Sequence, residues 1–417
     1  PICGFEELHV NSSFFLRFGF GGTRDEVLGL TVMMERSQPS PPVVVVENKK
    51  VVINVLPSGP LQDDTFRVVE ESLLITDAVK DGSVVVEVDH VSIDPTNKIW
   101  LEPKKTYLKP LHPGDAMRAP GVGRVVASGS PCFRPGDWVL GADLGWQRYA
   151  AVRRGRGLTK LPAPRPGGPP PTAFLGVLGH TGMAAYFGLL DVGNPKPGET
   201  VVISGAAGAT GSVAGQIAKI KGCRVVGIAG SREKCAWLRG LGFDAALDYR
   251  APGFRRDLAA AVPRGVDVYF DNVGGPMLDL ILGRLARGGR VVVCGAISGY
   301  QASGGKGEVA YGPKNYLNLI NQSGRMQGFL VMDYTKRFPE AVRALSQWLA
   351  QGRLQHREHV VEGVENAPRA LAMLFEGGNR GKLLVRVAAA AAAARQTASS
   401  SVVSTGEPGA EEPRSKL

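Results

Sequence analysis

The chain has 417 residues, 44% hydrophobic and 21% charged, with a formal charge of +11, proportions of a globular protein with room for two cores. No run approaches 18 consecutive apolar residues, which argues against a membrane span; the basic residues are scattered without a run of five or six Lys/Arg, which favours a basic enzyme with an anionic ligand over a nucleic-acid groove. The five cysteines, Cys3, Cys132, Cys223, Cys235 and Cys294, form neither CxxC pairs nor a secretory pattern, so a reducing compartment and no structural zinc are expected.

Residues 1–42 carry "SSFFLRFGFGG" and "SQPSPP" without a sustained period and read as an unstructured or non-native extension, with Met33 and Met34 as candidate starts. From Val43 to about Pro164, "VVVVENKKVVINV", "GSVVVEVDHVSIDP", "GVGRVVASG" and "GDWVLGA" alternate with Gly, Pro and Asp turns, the text of a compact β barrel or sandwich. "PAPRPGGPPP" then punctuates the chain, and "AFLGVLGHTGMAAYFGLL" has an apolar pattern of helical length.

After it, strands alternate with helices. "ETVVISG", "CRVVGIAG", "AALDY", "VDVYFDNVG" and "GRVVVCG" predict a parallel, doubly wound sheet, because parallel crossovers need a connecting segment that is usually a helix. "QGFLVMD" predicts one more strand, "FPEAVRALSQWLAQG" an amphipathic helix, and "REHVVEG" and "GKLLVRV" two strands that return to the first domain. Residues 388–417 begin with an alanine run and continue as a polar low-complexity tail. It ends in Ser415-Lys416-Leu417, which predicts recognition by the peroxisomal import receptor and a peroxisomal location, with the cytoplasm as a second one.

"VVISGAAGATGSVAGQIAKIKGCRVVGIAGSREK" is strand, glycine turn, helix, strand, with Gly205, Gly208 and Gly211 spaced GxxGxxG around Ala207. Glycines let the backbone turn tightly and approach a pyrophosphate, while the helix start offers free N–H groups to that anion, so the run predicts a dinucleotide site. An NAD site usually ends its second strand with Asp or Glu to accept the ribose hydroxyls; here Gly230, Ser231, Arg232 and Lys234 suit a 2'-phosphate, hence NADPH. Past the carboxyl end of "VVVCG" stand Ser298, Gly299 and Tyr300, where a phenol would meet a ligand.

These motifs, with "LGFDAALDYR", "DVYFDNVGG", "VVVCGAISGY", "GPKNYLNLI" and "GGNRGKLLV", resemble the zinc-free medium-chain reductases, in the branch of leukotriene B4 dehydrogenase/prostaglandin reductases and alkenal double-bond reductases. The similarity runs from about Asn48 to Val387. It implies an α/β fold with a GroES-like β-barrel catalytic domain (43–165 with 335–387) and a Rossmann domain (166–334), and NADPH-dependent reduction of the carbon-carbon double bond of α,β-unsaturated aldehydes and ketones. By matching motifs, Lys234 and Tyr249 would meet the 2'-phosphate and adenosine end and Asn272 the coenzyme's interior contacts. Cys294 to Tyr300, including Ile297 and Ser298, would form the nicotinamide-side loop. Phe329 to Val331 and Asn379 would close over the nicotinamide and diphosphate.

Hydride addition to the β-carbon makes an enolate, and Tyr300 is the candidate donor to that oxygen, with packing of the loop as its alternative role. Where many members carry Tyr-Met-Arg after Asp-Pro, this chain has Thr96, Asn97 and Lys98, so a prostaglandin or leukotriene preference is not transferred. Trp100, Tyr107 and the stretch from Met117 are candidates for an apolar pocket wall or for barrel core. His180 lacks a nearby Glu and reads as a helix residue beside the coenzyme rather than a metal ligand. A zinc alcohol dehydrogenase, a quinone reductase and a non-catalytic NADPH-binding or nucleic-acid-associated relative are the rival readings. The expected assembly is a homodimer.

Overall fold

The computed structural model describes residues 44–102, 109–301 and 311–387. Tyr107, the extension of residues 1–42 and the tail with Ser415-Lys416-Leu417 lie outside the described residues. No described helix is long and apolar enough to cross a membrane.

The first half is antiparallel. Strand β1 (Val45–Ile53) pairs with β2 (Phe66–Leu74), after which the helical turn α1 (Ile75–Lys80) leads into β3 (Val84–Ser92). The single turn α2 (Thr96–Ile99) follows, then β4 (Gly121–Ser128), β5 (Trp138–Gly141), β6 (Tyr149–Val152) and β7 (Leu158–Lys160). Strands β2, β6 and β7 carry no clear alternation of their own, so sequence reading passes over them. β2 is mostly exposed and is held by its partner β1, which tertiary pairing can do against weak local preference.

The long apolar stretch from Ala173 is not one helix. A 3-10 turn over Pro171–Leu175 precedes α3 (His180–Phe187), which continues into a π turn over Gly188–Gly193. The six-stranded sheet then alternates as expected. β8 (Thr200–Ile203), α4 (Ala209–Ile220), β9 (Arg224–Ala229), α5 (Arg232–Gly240) and β10 (Ala245–Asp248) come first. They are followed by α6 (Phe254–Ala261), β11 (Val266–Asp271), α7 (Gly275–Leu282), β12 (Leu285–Val293), α8 (Asn318–Asn321) and β13 (Arg325–Gly328).

Its spatial order is β10-β9-β8-β11-β12-β13 with every pairing parallel, the doubly wound dinucleotide-binding arrangement with its switch point between β8 and β11. Alternation along each strand fills both faces. Val201, Ile203, Phe270 and Val292 pack on one side with Val213 and Ile217 of α4; Val202, Val226, Tyr269 and Val291 pack on the other with Leu258, Ile281 and Leu282.

The predicted strand "QGFLVMD" ends early, at Gly328, and Val331–Arg337 turns as 3-10. β13 is the sheet's edge, and the Phe329 ring leaves it to lie beside Gly188 and Tyr334. Helix α9 (Phe338–Ala350) follows, and a division at residue 335 would give it to the barrel; its Ala341 and Leu345 instead pack with Phe187 and Ile217 on the parallel sheet. The chain then crosses back. β14 (Glu358–Glu362), helix α10 (Ala367–Glu376) and β15 (Lys382–Arg386) extend the first sheet in the order β14-β15-β3-β4-β5-β7, β15 pairing antiparallel with β3 and parallel with β14, with β6 on the far half of β3. α10 buries Ala370 and Leu371 against Val86, Val385 and Trp146 in the barrel core.

Candidate active site

Almost every residue singled out from the sequence stands just past the carboxyl end of a parallel strand. β8 runs into the turn Ser204–Gly208. Gly205 there has φ +56°, and a Cβ on Gly211 would come within 2.5 Å of the Gly205 carbonyl oxygen, so helix α4 can press on the turn only with glycine at that position. Gly208 caps α4 in extended conformation and bridges to Gly381, while the Ala207 carbonyl accepts the Gly381 N–H at 2.9 Å. The cradle is thus glycine-lined and faces the start of a helix of 12 residues, which fits a diphosphate.

At the end of β9, Ser231 caps α5, its hydroxyl accepting the Lys234 N–H at 3.3 Å. Arg232 is exposed beside it, and Lys234 reaches across to donate to the Gly377 carbonyl at 2.8 Å. Burial, then Arg250 and Arg380, hold the Lys234 amine below its ordinary range. Tyr249 follows β10 and lays its half-exposed ring over Gly230.

β11 delivers a carboxylate that the sequence reading passed over. Asp271 is fully buried, and its Oδ1 accepts from the Ser204 hydroxyl at 2.9 Å, the Tyr269 hydroxyl at 2.8 Å and the backbone N–H groups of Val273 and Gly274 at 3.0 Å each. Asn272 is then fixed from both ends, its N–H donating to Ser204 Oγ at 3.0 Å and its amide Nδ2 to the Ser204 carbonyl at 2.7 Å. Asp271 lies inside the quoted "DVYFDNVGG", so the signal was present without a role attached to it.

From β12, Cys294 and Gly295 donate their N–H groups to the Asp271 carbonyl. The Cys294 thiol is pushed up to about 12 by burial and then by Asp271, so it stays protonated. Ser298 donates its hydroxyl to the Val273 carbonyl at 2.6 Å, and Ile297 its N–H to the Asn272 carbonyl at 3.3 Å, which ties the loop after β12 to the loop after β11. Tyr300 folds back over this loop, its hydroxyl oxygen accepting the Ala296 N–H at 3.0 Å. That bond polarises the hydroxyl toward donation. Phe329 and Val331 lie beyond β13, half-buried, and Asn379 is buried with its amide Nδ2 donating to the Gly381 carbonyl at 3.0 Å.

The barrel side is built differently. Asp94 accepts from Lys382 Nζ at 2.6 Å and from the Ser92 hydroxyl, and the buried Asn97 links the Asp94 N–H to the Arg118 carbonyl. Lys98 is fully buried with no hydrogen-bond partner for Nζ and Glu102 at 3.9 Å, and its pKa is lowered by desolvation, which Glu102 opposes. Of the two pocket-wall candidates described, Met117 is core and Trp100 is half-buried under the Arg118 guanidinium. His180 opens α3 edge-on to Phe338; desolvation lowers its pKa, Asp94 opposing and Lys382 adding to the shift. Among the described residues there is no group of three His, Cys, Asp or Glu that could hold a metal ion.

Residues 49–161 match the family model described as the N-terminal domain of oxidoreductase, and residues 209–347 the one described as zinc-binding dehydrogenase. The chain is 46% identical over 74% of its length, and 89% of the relative, to the putative NADP-dependent oxidoreductase YfmJ of Bacillus subtilis. This chain belongs to the medium-chain dehydrogenase/reductases, in their zinc-free branch. To the NADP(+)-dependent 2-alkenal reductase of Nicotiana tabacum the reductase is 37% identical, over 82% of its length and 98% of the relative. The crystal structure of CurA from Vibrio vulnificus in complex with NADPH superposes with a TM-score of 0.75 at 37% identity, covering 82% of this reductase and 99% of that chain.

Proposed function

We propose that this enzyme reduces the carbon-carbon double bond of α,β-unsaturated aldehydes and ketones, with NADPH as reductant. Membership of the branch makes it an NADPH-dependent oxidoreductase acting on carbon-carbon double bonds; the carbonyl substrate class is the finer step. Bound NADPH supplies the hydride that adds to the substrate β-carbon. The chain's own task is to hold the diphosphate at Gly205–Gly208, to meet the 2'-phosphate at Ser231–Lys234, and to place a donor where the carbonyl oxygen gains charge.

The observation that carries the reading is the Tyr300 hydroxyl, positioned at the carboxyl edge of β12 by the Ala296 N–H. A phenol polarised in this way would donate to the enolate oxygen as charge develops there. Cys294, held protonated, takes no nucleophilic part.

Measuring NADPH consumption with a 2-alkenal, an enone and a quinone tests the proposal. The alkenal and enone should be consumed with the saturated carbonyl as product, before and after dialysis against a strong chelator. Preference for the quinone would make the enzyme a quinone reductase, and no turnover with any of them a binding protein.

A second copy of the chain is the proposed partner. The edge strand β13 is exposed along all four residues, and exposed apolar side chains stand on both sides of it in sequence, Leu317 and Ile320 before, Leu330 and Met332 after. Sedimentation should give a dimer that Ile320→Asp weakens; a monomeric native enzyme would remove this assignment.

A further inference from the structure

The 2'-phosphate end has more positive charge than the sequence motif supplied. Lys234 and Arg250 come from the ends of β9 and β10, yet both reach the same turn of the C-terminal return: Lys234 Nζ donates to the Gly377 carbonyl at 2.8 Å and Arg250 NH2 to the Glu376 carbonyl at 3.3 Å. The Arg250 guanidinium is also steered by Tyr249, stacking over its ring at 5.5 Å and donating to its hydroxyl at 3.3 Å. Three residues beyond Gly377 stands Arg380, half-buried and without a hydrogen bond or ion pair among the described residues, close enough to depress the Lys234 pKa together with Arg250.

The neighbouring carboxylates do not neutralise this cluster. Glu233 is exposed and held first by Ser231, with Arg380 and Arg232 contributing less. Asp248 accepts the Arg250 backbone N–H at 3.0 Å. No ion pair within 4.0 Å joins Arg232, Lys234, Arg250 or Arg380 to either. Cations kept together on backbone carbonyls repel one another, and an anion carrying close to two charges relieves that repulsion.

We propose that Arg250 and Arg380 are further specificity-determining residues for a 2'-phosphorylated dinucleotide, and that through them the phosphate fastens the 376–381 turn of the C-terminal return onto the parallel sheet. The inference rests on the NADPH reading above. It adds two residues from outside the glycine-turn motif and a mechanical consequence. Because Gly381 donates to the Ala207 carbonyl at 2.9 Å, a fastened turn also braces the glycine cradle under the diphosphate.

The test uses the full chain and two probes, adenosine 2',5'-bisphosphate and 5'-AMP, with affinities from titration calorimetry and backbone hydrogen exchange over 376–381. The native protein should bind the bisphosphate more tightly than 5'-AMP and slow exchange in that turn only with the bisphosphate. Arg380→Leu should weaken bisphosphate binding by about tenfold, as loss of a charge-assisted contact does, leave 5'-AMP binding unchanged and abolish the slowing. Arg380→Lys should recover part of the affinity, and the unchanged 5'-AMP binding shows that the fold is intact. Native discrimination that survives in Arg380→Leu and Arg250→Leu would overturn this inference alone. Absence of discrimination in the native protein would overturn the NADPH reading and the inference with it.

Discussion

The coenzyme edge of the parallel sheet and the substrate wall of the barrel are made by opposite routes. At the edge, strands β8 to β13 end side by side, and each places its site residues within a few positions of its last sheet residue, so short motifs carry the chemistry. At the wall, α2 is a single turn whose place depends on Asp94 reaching Lys382, far away in the sequence, and on Asn97 reaching the Arg118 carbonyl. The edge gathers four hydrogen bonds on one buried carboxylate oxygen, Asp271 Oδ1, while its Oδ2 has none, and the wall buries a lysine whose Nζ has none. A site made from strand ends is specified locally; a wall made from packing is specified only by the whole barrel.

The sharpest way to break this contrast is at Asp271. Asp271→Ala strips four donors of their acceptor inside the protein and should cost about 3 to 5 kcal/mol in urea unfolding, since each buried unsatisfied group costs about 1–3 kcal/mol. A loss below about 1 kcal/mol would show that the edge is not organised around this carboxylate.

Next in size is Tyr300→Phe, which keeps the ring but removes the hydroxyl. Turnover with an enone should fall by roughly 10- to 1,000-fold, about 1.4–4 kcal/mol, with NADPH affinity within a few-fold of native. Unchanged turnover with hydride transfer rate-limiting would reduce Tyr300 to a packing residue that satisfies the Ala296 N–H.

The smallest effect is expected at the wall. Lys98→Met replaces a buried amine by an apolar chain of similar length and should stabilise the protein at pH 7 by about 1 kcal/mol. The sign follows from linkage. Burial lowers the folded-state pKa of Lys98 below its ordinary 10.5, so between the two values the unfolded chain binds more protons and stability rises with pH. The native protein should therefore gain stability on going from the lowered value toward 10.5, and Lys98→Met should lose that rise. Parallel pH profiles for the two proteins would mean that burial does not lower the folded-state pKa of Lys98.

How far the site was legible follows from the same contrast. Gly205, Gly208 and Gly211, Ser231, Lys234, Tyr249, Asn272 and the Cys294–Tyr300 loop all come to one edge because parallel strands bring their carboxyl ends together. Asp271 carried no motif value, since a carboxylate after an apolar strand reads equally as a turn residue. Arg380 sat beside the recognised Asn379 in "GGNRGKLLV" and Arg250 beside Tyr249 in "LGFDAALDYR", each overlooked because its neighbour had the assigned role. The pocket-wall reading of Met117 could not be separated from core by composition, and burial decided it.

By itself the sequence determined what depends on residues a few positions apart: the short apolar runs of β8, β9 and β11, the glycine turn, the helix start behind it and the absence of a carboxylate after β9. Only the tertiary structure decided what depends on distant segments meeting. It placed β15 between β14 and β3, laid α9 against the parallel sheet instead of the barrel, and set Lys234 on the carbonyl of Gly377, 143 positions along the chain. Turns and strands follow from local dihedral preferences and side-chain period, whereas these encounters follow from closing the chain around two cores, where burial and hydrogen-bond satisfaction must be met everywhere at once.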